Sequence, residues 1–133
     1  MRTLLFIGVL LMASCSESQV KESGSTTNET TEQQSGYQVV GADEFKAMLP
    51  EDVQLVDVRT AQEYSAGTIE GAINIDVLSS NFAEKIGELD KSKKTLIFCR
   101  SGSRSARAGG MMEDMGFETI VDLSGGYMGW PYK

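Results

Sequence analysis

Residues 95–105 read Thr-Leu-Ile-Phe-Cys-Arg-Ser-Gly-Ser-Arg-Ser, and a helical pattern follows them. The near-continuous apolar run from Thr95 to Phe98 is of the kind buried on both faces of a parallel sheet. A buried strand that turns through a short loop into a helix strongly restricts the possible folds. It needs neighbouring strands on both sides and helices above and below. The same stretch places a thiol, Cys99, at the strand end and at the start of the helix. Backbone N–H groups that turn inward in such a loop, together with the helix dipole, favour an anion there. Arg100 and Arg104 add full positive charges. All of these effects favour thiolate over thiol, so the loop points to a nucleophile. A cysteine at a strand end alone is as readily a core residue, and the attached loop decides between the two readings.

The rest of the chain repeats the alternation. Tyr37–Val40 reads as a short strand, Ala42–Leu49 as a helix ended by Pro50, and Val53–Val58 as a second strand. Thr60-Ala-Gln-Glu63 matches a capping box opening a short helix that Gly67 ends. Ala72–Ile75 reads as a third strand. Asn81 is placed to cap a helix with Phe82, Ile86 and Leu89 on one face. After the Cys99 loop, Ala108, Met111, Met112 and Met115 form a helical stripe closed by Gly116, which reads as core packing. Thr119–Leu123 is the fifth strand. The expected fold is α/β, a five-stranded, mainly parallel sheet flanked by helices. Ligands of such sheets bind at the carboxyl ends of the strands, and Cys99, Asp57 and Arg59 all fall at that edge. Asp57 and Arg59, with Glu63 close by, read as an ion-paired brace between loops. Tyr127, Trp130 and Tyr132 are expected to cover the sheet edge and line its rim.

The first part of the chain is different. Arg2 precedes an apolar stretch from Leu4 to Ala13, too short for a bilayer span and matched to the apolar region of a secretory signal. Met12-Ala-Ser-Cys15 resembles a bacterial lipobox, which implies a signal peptide over 1–14, cleavage before Cys15 and acylation of that cysteine. Residues 16–36 are almost entirely Ser, Thr, Glu, Gln and Asn. They cannot bury enough surface to offset ordering entropy, so 15–36 is expected to be a polar tether and 37–133 the folded domain. The 133-residue chain carries a net charge of −7, which becomes −8 without Arg2. That balance argues against nucleic acid as a partner. The chain has two cysteines and no histidine. Processing at Cys15 leaves Cys99 as the one free thiol, and histidine ligation of a metal or haem is excluded.

Three stretches resemble the rhodanese family. Asp57-Val-Arg-Thr-Ala-Gln-Glu63 with Gly67-Thr-Ile-Glu-Gly-Ala72 is similar to the family's first signature. Cys99-Arg-Ser-Gly-Ser-Arg-Ser105 is similar to its active loop, and Gly125-Gly-Tyr-Met-Gly-Trp130 to its C-terminal signature. Two positions depart from the pattern: Thr68 stands where the family usually has His, and Glu70 where it often has Pro. The resemblance implies a sulfurtransferase of the thiosulfate type, with Cys99 taking up a sulfane sulfur as a persulfide. It implies a small anionic sulfur donor, a thiol or cyanide acceptor, and no cofactor or metal. Double displacement through a covalent intermediate needs no protein base if the thiolate is already present, which suits a chain without histidine. The N–H groups of the loop are placed to hold the terminal sulfur anion, with Gly102 permitting the tight turn. Ser101, Ser103 and Ser105 supply hydroxyls, Arg100 steers anionic donors, and Arg104 either steers as well or braces the loop.

Rival readings differ in their residues. A cysteine phosphatase needs Cys-x5-Arg, whereas Ser105 holds that place here and Arg104 comes one position early. A thioredoxin-type oxidoreductase needs a second cysteine at position 102, which is Gly. A non-enzymatic persulfide carrier or thiol sensor of the cell envelope keeps the same loop and is the alternative. The expected product is thus a monomeric, lipid-anchored protein of the bacterial cell envelope, facing the periplasm or the exterior.

Overall fold

A computed structural model describes residues 36–133. The expected signal segment, Cys15 and most of the tether lie outside them. Five strands alternate with helices: β1 Gly36–Val40, α1 Ala42–Met48, β2 Gln54–Asp57, α2 Ala61–Ser65, β3 Ile73–Asn74, α3 Phe82–Gly87, β4 Thr95–Phe98, α4 Ser103–Asp114 and β5 Thr119–Leu123. A single 3-10 turn, Tyr127–Gly129, follows. The strand order is β1-β5-β4-β2-β3 and every neighbouring pair is parallel. The sheet is therefore wholly parallel, beyond the mainly parallel arrangement expected.

β4 and β5 are buried along their whole length, because they lie inside the sheet and are covered on both faces. Alternate side chains enter separate cores. Ile97 and Cys99 join Val56, Ile120, Phe82, Ile86, Ala108 and Met112 under α3 and α4. Leu96 and Phe98 join Val121, Leu123, Phe45 and Trp130 on the α1 face. Each large apolar side chain fully buried in this way contributes about 1.5–3 kcal/mol. The methionine stripe of α4 is core packing, with Met112 buried and Met111 and Met115 against its edge.

Element ends depart from the expected ones where tertiary contacts decide them. β3 shrinks to two residues, since the Ala72 N–H turns back to the Ile69 carbonyl at 3.1 Å and leaves the ladder. The capping box of α2 forms: Thr60 Oγ1 accepts from the Glu63 N–H, and a Glu63 oxygen accepts from the Thr60 N–H. Asn81 sits at the α3 N-cap but does not cap it, because its side-chain oxygen is taken by the Ser79 hydroxyl. Leu89 lies past the end of α3 yet still packs on the same core. Trp130 is core rather than rim. It is buried and meets Phe45 edge to face at 5.9 Å.

Candidate active site

Parallel pairing brings the carboxyl ends of β2, β4 and β5 to one edge, and the Cys99 loop sits there. The chain leaves β4 at Phe98, turns at Gly102 and enters α4 at Ser103. Gly102 has φ of +112°, a region that L side chains rarely adopt, so the turn needs glycine. The Gly102 N–H donates to Cys99 Sγ at 3.0 Å. The Ser105 hydroxyl lies 3.4 Å from the same sulfur and 3.1 Å from the Gly102 carbonyl.

The loop is clamped from outside by the turn after β5. The Tyr127 N–H donates to the Cys99 carbonyl at 2.8 Å, and the Met128 N–H to the Arg100 carbonyl at 2.9 Å. Both carbonyls are thereby drawn outward, away from the sulfur. Gly126 permits this approach: a Cβ there would stand 2.6 Å from the Cys99 and Arg100 carbonyl oxygens. The Gly125-Gly126 pair thus serves the nucleophile loop directly.

Burial pushes the Cys99 thiol up, but hydrogen bonds from the Ser105 hydroxyl and the N–H groups of Ser105, Gly102 and Ser101 outweigh it. The net direction is below the ordinary thiol value. Cys99 is at once a member of the core and the focus of these donors, with 0% exposure. Arg100, Ser101 and Ser103 are exposed around it, and Ser105 is buried beneath. Arg104 is committed elsewhere. Its guanidinium grips Glu63 with two bonds, at 2.8 and 2.7 Å, tying the start of α4 to α2.

A family model described as the rhodanese-like domain matches residues 41–132. The chain belongs to the rhodanese-like family. It is 32% identical over 78 residues to the thiosulfate sulfurtransferase GlpE of Shewanella oneidensis, covering 59% of this chain and 75% of that one. It is 40% identical over 87 residues to a tRNA uridine(34) hydroxylase of Cytophaga hutchinsonii, covering 62% of this chain but only 28% of the relative. Among solved structures, a rhodanese-related protein from Thermoplasma volcanium superposes with a TM-score of 0.63 at 32% identity, covering 71% of this chain and 90% of that one.

In this rhodanese-like domain the Asp57–Arg59 pair is a brace, as its spacing suggested. Arg59 Nη2 reaches Asp57 Oδ2 and the Gly67 carbonyl, each at 2.6 Å, and the guanidinium lies 4.3 Å from the centre of the Tyr127 ring. Thr68, at the family's histidine position, donates its hydroxyl to Asp57 Oδ2 at 2.9 Å and so joins the brace. Asn74 closes the far side by donating to the carbonyls of Asp57 and Arg59. Glu63 is not part of this cluster, contrary to the expectation, because Arg104 holds it.

Two residues of the site region escaped the sequence reading. Tyr37 of β1 donates its hydroxyl to Asp122 of β5 at 2.6 Å, on the α4 side of the sheet below Cys99. A single acid inside the apolar run Ile120-Val-Asp-Leu123 was the available signal. Among the described residues, no cluster of three or more His, Cys, Asp or Glu is placed to hold a metal ion.

Proposed function

We propose that this rhodanese-like domain is a sulfurtransferase that carries sulfane sulfur as a persulfide on Cys99. The observation that carries the reading is the set of donors converging on Cys99 Sγ, led by the Gly102 N–H at 3.0 Å. Attack of the thiolate on the outer sulfur of a donor such as thiosulfate forms an S–S bond to Cys99. The S–S bond of the donor breaks, and sulfite leaves with its electron pair. A thiol or cyanide acceptor then attacks the outer sulfur of the persulfide, and Cys99 leaves as a thiolate. The donors that stabilise the resting anion support a persulfide anion on the same cysteine, since they leave the loop with a net attraction for negative charge. Cys99 is buried in this arrangement, with the exposed Arg100, Ser101 and Ser103 beside it in the loop. Arg100 is free in this reading to attract the anion, and Arg104 holds the loop to α2. The sulfurtransferase relatives support the class of reaction. The hydroxylase relative is much longer than the stretch matched, and its activity is not carried over.

The reading includes lipid anchoring at Cys15 on the bacterial cell envelope, supported by the Ala13-Ser14-Cys15 motif and the polar residues after it. Steady-state transfer from thiosulfate to cyanide tests the chemistry. Cys99→Ser should fold as the wild type and lose transfer, since no base beside it activates a hydroxyl. Turnover near wild type in that variant would overturn the assignment. Loading of Cys99 without turnover would instead favour the carrier reading.

A further inference from the structure

The turn that clamps the Cys99 loop has little stiffness of its own. Gly125 and Gly126, at φ of +73° and +58°, lead into the single 3-10 turn Tyr127–Gly129. Glycine backbones leave such a turn free to pivot, so its place is set by the side chains that follow. Trp130 fixes the far end by entering the core against Phe45. The near end is Tyr127, whose N–H makes the 2.8 Å bond to the Cys99 carbonyl. That residue is half-buried, and it is held by its ring.

Three groups meet the ring. The Arg59 guanidinium carbon is 4.3 Å from its centre, the centre of the Phe98 ring 6.2 Å, and the ammonium of the exposed Lys133 4.9 Å. Of the two cations, Arg59 is the one held in place. It is 4% exposed, and its Nε and Nη2 grip the Asp57 carboxylate at 2.9, 3.1 and 2.6 Å. Nη2 also donates to the Gly67 carbonyl at 2.6 Å, and Asp57 accepts in addition from the Arg59 N–H and the Thr68 hydroxyl. Gly67 lets the ring come close, since a Cβ there would stand 3.0 Å from the Tyr127 hydroxyl. A planar guanidinium against an aromatic ring is attractive, and more so out of water. Tyr127 is thus tied to the buried pair by its ring and to the nucleophile loop by its N–H.

We propose that Arg59 is a positioning residue for Cys99: fixed by Asp57, its guanidinium holds the Tyr127 ring and so keeps the Tyr127 N–H on the Cys99 carbonyl. With that bond in place the carbonyl points away from the sulfur, and the N–H groups inside the loop face the sulfur without competition. Without the stack the turn pivots on its glycines, and the carbonyl dipole swings toward a thiolate that it opposes. The pair acts from the other core of the sheet, since Tyr127 packs with the α1-side cluster while Cys99 belongs to the α4-side one. The inference rests on Cys99 as the nucleophile proposed above and not on the identity of its substrate.

The test is the rate of iodoacetamide alkylation against pH, in full-length protein carrying Cys15→Ser so that Cys99 is the sole thiol. Tyr127→Leu keeps the backbone N–H but loses the ring, and should raise the inflection by about half a pH unit, a threefold loss of thiolate at a given lower pH. Tyr127→Phe keeps the ring and should leave the inflection in place. Arg59→Lys keeps the charge but loses the planar face, and should raise it as Tyr127→Leu does. None of these changes removes the Gly102 N–H or the Ser105 hydroxyl from Cys99 Sγ, and none alters the net charge, so a shift travels through the clamp. Met48→Ala takes a partly buried side chain from the same α1-side cluster and should lower the melting temperature without moving the inflection. If Arg59→Lys fails to fold, Tyr127→Leu carries the test. An unmoved inflection in Tyr127→Leu, or in a folded Arg59→Lys, would overturn the proposal. So would a rise in Tyr127→Phe, or one in Met48→Ala as large as that in Tyr127→Leu, which would make the effect a general loosening. Alkylation needs no sulfur donor. A protein that passes these tests yet takes no sulfur refutes the proposed function and leaves this inference standing.

Discussion

Arg100, in the loop, and Arg104, in the first turn of α4, lie four residues apart and meet different surroundings. Arg100 is exposed, while Arg104 is bound to Glu63 through both terminal nitrogens. Arg100→Ala should raise KM for an anionic donor and leave the melting temperature unchanged. Its effect should shrink with added salt, because exposed charges are screened over about 8 Å at physiological ionic strength. Arg104→Ala should lower kcat and also cost about 1 kcal/mol of stability, the upper end for a partly exposed pair. Kinetics at two salt concentrations with melting curves for both variants check the division. The same pair gives a pH dependence. The bonds from Arg104 hold the Glu63 carboxyl down to about 2 from an ordinary 4.5, more than burial raises it. A carboxyl depressed in the folded state contributes stability that is present above the unfolded pKa and is lost as pH falls toward the folded one. Stability should therefore decline between about pH 4.5 and 2 by more in the wild type than in Glu63→Gln, measured by denaturant titration at stepped pH. At this scale the legible residues were those whose chemistry is local in sequence. Cys99, Gly102 and Ser105 announce a loop by spacing alone. The Tyr37–Asp122 bond spans 85 residues, and nothing near Tyr37 in the chain hints at it.

At the scale of elements, the turn after β5 and the loop after β4 behave as one piece. Gly126→Ala would drive a Cβ into the carbonyls of Cys99 and Arg100 at a φ of +58°. It should cost about 1–3 kcal/mol and raise the Cys99 inflection, because the carbonyls can no longer be held outward. Gly110→Ala is the contrasting variant: a Cβ there meets nothing within 4 Å and the backbone is helical. It should stabilise by about 0.5–1 kcal/mol and leave the inflection alone. Thermal melts and alkylation of both variants separate the two. Element types were readable because each periodicity is short-range. The apolar run of β4 and the capping box of α2 are complete within a few residues. Element ends were less so. β3 stops where the Ala72 N–H finds Ile69, and Asn81 gives its side chain to Ser79 rather than to a helix, and both outcomes depend on turns formed elsewhere.

For the whole molecule, the parallel order β1-β5-β4-β2-β3 gathers the thiol loop, its clamp and the Asp57–Arg59 brace at one edge. Alternation of strands and helices made that edge foreseeable, but not the strand order, which depends on pairings between distant segments. The proposed anchoring at Cys15 has its own test. If Cys15 is acylated as proposed, Cys15→Ser should move the protein from the membrane fraction to the soluble fraction, as immunoblots of separated fractions would check, and unchanged membrane retention would reject the anchor. The central claim is that Cys99 accepts sulfur. Intact mass of the purified protein before and after a thiosulfate pulse tests it most directly. The account predicts a gain of one sulfur atom, absent in Cys99→Ser and reversed by cyanide or dithiothreitol. An unchanged mass, or a gain that persists in Cys99→Ser, would contradict it.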